Sequence, residues 1–312
     1  MVPDIGQGPL GSSAPAHYPA MNPSPSMANR LSQWRIYFDR ALAHEALGDL
    51  LMLAEEAPSS TLRIEARRLL AKRLLDKDHR RLARNQIKAI LSNHPSDAYG
   101  RALLATIDAT EARVTGASPR HGAQAVLFSG HMIDAPNRPS PRFPPDKESV
   151  AAGAIGKALD DIHVQSTDLA ICGGACGGDT LFAEACLARG MRVQLYLQFE
   201  EPTFLDASVA FAGPQWVERY RRIASNARTR VRIMPRELGP APTDTNAYER
   251  NNRWQLDNAL AVGAVHCIAL WNGQGGNGPG GTEHMLDTVG QYGGQVTILD
   301  TTLLWSPPQG LR

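Results

Sequence analysis

No stretch of this 312-residue chain comes near the roughly 20 consecutive apolar residues that a bilayer-spanning helix requires, so a membrane protein of that kind is not expected. Cysteine is scarce as well. Four of them, with no paired framework, fit a reducing compartment rather than a disulfide scaffold. The first thirty residues lack the continuous apolar core of a signal peptide, and the expected location is the cytoplasm. Charge of one sign is missing too: the formal net charge is +1, and aromatic residues make up 6% of the chain. Both argue against a surface built for nucleic acid or for stacking single-stranded bases. What remains, 43% hydrophobic and 20% charged residues, is enough to bury a core of two domains.

Residues 1–28 are rich in proline and poor in large apolar side chains, and read as a disordered leader. From 29 to 115 proline almost disappears. Apolar residues recur at helical spacing, as in Leu47, Leu50, Leu51 and Ala54 and again in Leu69, Leu70 and Leu74, and Pro58-Ser-Ser-Thr and Pro95-Ser-Asp have the form of helix starts. Four helices in two antiparallel pairs are expected. The stretch from Ala83 to Ala98, followed by Ala102 to Ala105, resembles the junction between two tetratricopeptide repeat helices, although no 34-residue period runs through the region. Basic residues outnumber acidic ones between Arg63 and Lys88, which suits either a solvated helix face or a surface for an acidic protein partner.

After a Gly/Ser/Pro linker at 116–123, the segment 124–305 alternates strand and helix, with a short tail at 306–312. Strands are expected at 125–129, 168–172, 192–197, 230–234, 265–270 and 295–299, and helices at 146–162, 179–189, 214–227, 246–262 and 281–292. This order predicts an α/β fold: a Rossmann-like, mostly parallel sheet with helices on both faces, preceded by a small all-α domain. Ligands of such sheets sit beyond the carboxyl ends of the strands.

Two glycine-rich turns fall there. The first, Cys172 to Asp179, supplies Gly173, Gly174, Gly177 and Gly178, with Cys176 at the helix start and Asp179 as its cap. The second, Asn277 to Thr282, supplies Gly278, Gly280 and Gly281, with Thr282 as cap and Glu283 beside it. Side-chain-free turns bring backbone N–H groups close to an anion, so a nucleotide-type phosphate is the expected ligand and no further cofactor or metal is required. The pair Cys172 and Cys176 lacks the partners of a zinc site. Gly130 and His131 follow the first strand, Arg138 lies in a proline-rich loop able to cover a ligand, Asn272 and Gly273 follow the fifth strand, and Asn252 and Arg253 lie in an amide-rich stretch suited to a base. Were the site catalytic, Glu283, Asp179 and His131 are the candidate acid–base groups.

The residues Phe128-Ser-Gly-His131, Gly173 to Glu184, Phe204 with Ser208-Val209 and Trp216, and Trp271-Asn-Gly with Gly278-Pro-Gly-Gly-Thr282 resemble the SLOG superfamily, which includes Lonely-guy proteins, DprA-type DNA-processing proteins and prokaryotic nucleotide sensors. The resemblance covers a little over half of the chain. It implies a Rossmann-like fold that binds nucleotides, nucleotide sugars or related signals such as NAD, ADP-ribose or cyclic nucleotides, and it makes a homo-oligomer plausible. Cytokinin-nucleotide hydrolases of that superfamily carry a Pro-Gly-Gly-x-Gly-Thr-x-x-Glu turn and an Arg-Lys pair. This chain has Pro279-Gly-Gly-Thr-Glu283 and lacks the Arg-Lys pair in the helices expected here, and where many relatives have arginine it has Cys176. Phosphate binding therefore transfers and the catalytic set does not. The expectation is a sensor or effector module with the helical domain as output; the alternative is a phosphoribohydrolase acting on an N-glycosidic bond.

Overall fold

The computed structural model describes residues 27–114, 123–136, 138–242, 245–274 and 281–306. Residues 1–26 of the expected leader, 116–122 of the expected linker and 307–312 of the expected tail lie outside them, whereas Met27 and Ala28, expected in the leader, begin the first helix. The chain opens with α1 (Met27–Ala43), α2 (Leu47–Glu55), α3 (Ser60–Asp76), α4 (Arg80–Asn93) and α5 (Ala98–Val114). That is five helices where four were expected. Ser59 caps α3 by accepting from the Leu62 N–H at 3.3 Å, and Asp97 accepts from the Gly100 N–H at 2.6 Å at the start of α5, as the two proline-led starts predicted. The turns before α2 and before α4 have no such marker. They are made by Glu45 and Asp78 in the left-handed region, with φ of 51° and 63°.

The second part runs β1 (Ala125–Gly130), α6 (Glu148–Asp161), β2 (Leu169–Cys172), α7 (Gly178–Ala188), β3 (Arg192–Leu197), α8 (Glu201–Ser208), α9 (Pro214–Ala224), β4 (Thr229–Ile233), α10 (Ala247–Val262), β5 (Val265–Trp271), α11 (Thr282–Gln291), β6 (Gln295–Asp300) and α12 (Thr301–Leu304). The six strands form one parallel sheet in the order β4-β3-β2-β1-β5-β6. This is the Rossmann-like α/β class. The short α8 and α12 were not anticipated.

Each sheet face has its own core. One is built on Val126, Phe128, Ile155, Phe182 and Tyr220 under α6, α7 and α9; the other joins Leu127, Trp254, Leu256 and Met285 to Leu50, Leu51 and Leu70 of the N-terminal helices. The helical region thus shares a core with the sheet. Burying α2 almost completely, from Leu47 to Ala54, requires an apolar helix of that length, and the sequence supplies one. Gly48 lets α2 approach α10 closely: a Cβ there would sit 2.5 Å from the Asn258 Cα. Around this contact run three ion pairs at 2.5 Å, Arg232–Asp49, Arg250–Glu56 and Arg253–Glu55. No helix among the described residues is long and apolar enough to cross a membrane.

Candidate functional site

The strand order places the topological reversal between β1 and β5, because the chain moves outward from β1 through β2 and β3 to β4 and then returns to the other side of β1. A crevice opens at such a reversal, beyond the carboxyl ends of the strands. Here those ends carry Ser129, Gly130 and His131 from β1 and Asn272 and Gly273 after β5. The His131 N–H extends the β1–β5 ladder by bonding the Leu270 carbonyl at 3.0 Å. Gly130 keeps that approach open, since a Cβ would meet the Phe128 ring at 2.9 Å.

The His131 side chain is 8% exposed, and its Nε2 has no hydrogen-bond partner among the described residues. Burial lowers its pKa to about 4, reinforced by the nearby Arg142 charge and opposed by Asn272 and Asp134. The ring is neutral at pH 7, suited to giving or taking a hydrogen bond.

Beside it stands the amino end of α11. Gly281 occupies the capping position and provides no side chain; Thr282 is the first helical residue, and its hydroxyl accepts from Ser129 Oγ at 3.2 Å rather than capping the helix. The first-turn N–H groups of a helix have no acceptor within it, and at α11 these are the N–H groups of Thr282, Glu283 and His284, with no side chain capping them among the described residues. Glu283 is exposed. Gly278 and Gly280 lie outside the described residues.

The first glycine turn is arranged differently from the expectation. Asp179 is the second residue of α7, not its cap, and its carboxylate turns back into the turn, accepting from the Ala175 N–H at 3.1 Å and from Gly173 and Gly174. A protein carboxylate thus holds the amides that a phosphate was expected to use. Enclosure raises the Asp179 pKa to about 7 against the pull of those three amides. The glycines are needed for packing: Gly177 has φ of 93° and a Cβ on it would lie 2.4 Å from the Ile133 nitrogen, while one on Gly178 would strike the Phe128 ring at 2.8 Å. Cys176 is buried, and its thiol pKa is pushed up to about 12 by burial, which removes it as a reactive thiol. Gly177 and Gly178 of the first turn and Thr282 at the start of α11 thus both lie against the end of β1, and among the described residues the Asp179 carboxylate occupies the amides of the first turn while no side chain caps α11.

Arg138, whose charge also helps to lower the His131 pKa, is held within its own loop. It donates to the Ser140 carbonyl at 3.0 Å, pairs with Asp134 at 3.4 Å, and lines a separate cavity of about 430 Å³ with Trp216 and the loop prolines. Asp134 pins the same loop by accepting from the Arg142 and Phe143 N–H groups, each at 2.8 Å. Arg253 is not brought to the crevice. It pairs with Asp257 at 3.1 Å and with Glu55 of α2, so it serves the seam with the helical region, as does Trp254, whose indole donates to Asp49 at 2.7 Å. Asn252 is partly buried on the same helix.

The amides that do face the sheet are Asn251 and Gln255, one helical turn apart. Asn251 donates to the Tyr196 carbonyl at 2.8 Å, and the side-chain carbonyls of Asn251 and Gln255 are both buried without a partner among the described residues. At the amino end of α10, Glu249 lies 3.5 Å from His284 of α11, and the remaining polar atom of each is also unpartnered. Asn251 and Gln255 lie in the amide-rich stretch that the sequence marks, whose expected site residues are Asn252 and Arg253, whereas sequence reading missed Glu249 and His284. The available signal was the i, i+4 spacing of Asn251 and Gln255 on a helix whose other face is charged. No three His, Cys, Asp or Glu residues are grouped as a metal site among the described residues. No protein-family model and no curated protein matches the chain.

Proposed function

We propose that the crevice between β1 and β5 binds a nucleotide-derived small molecule and that the protein is a sensor or effector module of the SLOG type, with the helical region as its output. The observation that carries this reading is His131: a neutral, buried imidazole whose Nε2 has no partner among the described residues, at the topological reversal and beside an α11 amino end that no described side chain caps. A buried polar atom without a partner costs about 1–3 kcal/mol, which a bound group would recover. The α11 N–H groups would take a phosphate. His131, with Asn251 and Gln255, would take hydroxyl and base edges.

Binding needs no acid or base. Of the earlier catalytic candidates, Asp179 is committed to its own turn and Glu283 is exposed. One observation supports hydrolysis of an N-glycosidic bond instead, the Glu249–His284 pair with its unpartnered carboxylate oxygen.

The test is calorimetry of the full chain against AMP, NAD, ADP-ribose and cyclic nucleotides, with chromatography for released base. Saturable binding that weakens in His131→Phe, with no base released, is the expected result. No binding at millimolar ligand overturns the proposal, and base release abolished by Glu249→Gln replaces the sensor with a hydrolase.

A further inference from the structure

A cavity of about 650 Å³ lies away from that crevice, between α1 and α2 on one side and the β3–β4 edge of the sheet on the other. Its volume is in the range of small-molecule sites. The sheet face under it is unusual in composition. In a parallel sheet covered by helices the strand faces are normally apolar, yet Gln194 and Tyr196 of β3, with their register partners Arg230 and Arg232 of β4, make this face polar.

The charges around the cavity are unequally matched. Arg232 is neutralised by Asp49 at 2.5 Å, and Glu45 by Lys77 at 2.5 Å. Arg40 and Arg230 also line the space, both exposed, and neither has a carboxylate at ion-pair distance among the described residues. Arg40 lies instead over the Tyr37 ring, 4.3 Å from its centre, a contact that leaves its hydrogen-bonding edge unneutralised by any acid. The cavity therefore carries two uncompensated guanidinium groups beside an aromatic ring.

We propose that this cleft is a second ligand site, taking a small phosphate monoester whose anionic end lies between Arg40 and Arg230. Planar guanidinium groups bind a phosphate dianion bidentately, and two of them match its charge. Because one arginine comes from the helical region and the other from the edge strand, the ligand bridges the two parts of the chain. It does not depend on the β1–β5 reading.

The probe is phenyl phosphate, titrated calorimetrically into the full chain, with phenol as the neutral control. Saturable binding of phenyl phosphate alone, about tenfold weaker in Arg40→Ala and in Arg230→Ala and unchanged in His131→Phe, is the expected result. Both arginines are exposed, so the variants should fold, and circular dichroism checks that they do. Absence of saturable binding at millimolar phenyl phosphate overturns the proposal. So does an affinity unchanged in both arginine variants, or one lost in His131→Phe.

Discussion

Replacing Asp179 by asparagine separates the two ways of reading the first glycine turn. The carboxylate accepts three turn amides and has its pKa raised from 3.8 to about 7, with enclosure as the largest cause. A folded-state pKa above the unfolded one means that the native state holds the extra proton between those values. Stability therefore falls as pH rises from about 4 to about 7, and the loss persists above. Three units correspond to about 4 kcal/mol for a fully enclosed group; Asp179 is only partly buried by surface area, and solvent screening reduces the expected loss to about 2 kcal/mol. Asparagine keeps an acceptor for the amides and cannot ionise. Asp179→Asn should accordingly match wild type near pH 5 and exceed it by about 2 kcal/mol at pH 8, measured by urea denaturation at both values. Asp179→Ala, which leaves the amides without an acceptor, should lose about 3 kcal/mol at pH 5. If Asp179→Asn shows the same pH slope as wild type, or is the less stable protein at pH 8, the carboxylate does not occupy the turn as argued.

Other consequences follow from the same geometry. The pKa of His131 is lowered, so wild type should lose about 3 kcal/mol as pH falls from about 6.5 to about 4, and His131→Phe should abolish that part of the acid sensitivity in the same denaturation assay. Arg250→Ala leaves the mostly buried Glu56 carboxylate without its partner at the α2–α10 seam and should cost about 3 kcal/mol in equilibrium unfolding. Gly177→Ala forces a side chain into the backbone of the β1 loop at positive φ and should cost about 3 kcal/mol or more, seen as a lowered melting temperature.

The sheet was legible because its central strands β1, β2 and β5 are almost wholly buried and read as short apolar runs, while the edge strands β4 and β6 still carry β-branched residues; β3 is expected and observed at 192–197, and the other strands agree within a residue or two. The N-terminal count was not, because Glu45 and Asp78 make their turns without glycine or proline, whereas Pro58 and Pro95 marked theirs. Within the site, the glycines were visible but their partners were not. Nothing local tells that Gly177 is needed against Ile133, or that Asp179 folds back to take the amides of its own turn. On α10 the stretch from Arg250 to Asp257, which holds Asn252 and Arg253, is amide-rich and charged in sequence. Its division into a face for α2, with Arg250, Arg253, Trp254 and Asp257, and a face for the sheet, with Asn251 and Gln255, depends on knowing that α2 docks there.

The most direct test of the central claim is a crystal structure of the full chain soaked with ADP-ribose. The account predicts density beyond β1 and β5, with a phosphate oxygen within hydrogen-bonding distance of the Thr282 or Glu283 N–H and a ligand oxygen or nitrogen on His131 Nε2. A ligand seated on the amides of Gly173 to Ala175 with Asp179 displaced, or an imidazole that gains no partner, would contradict it.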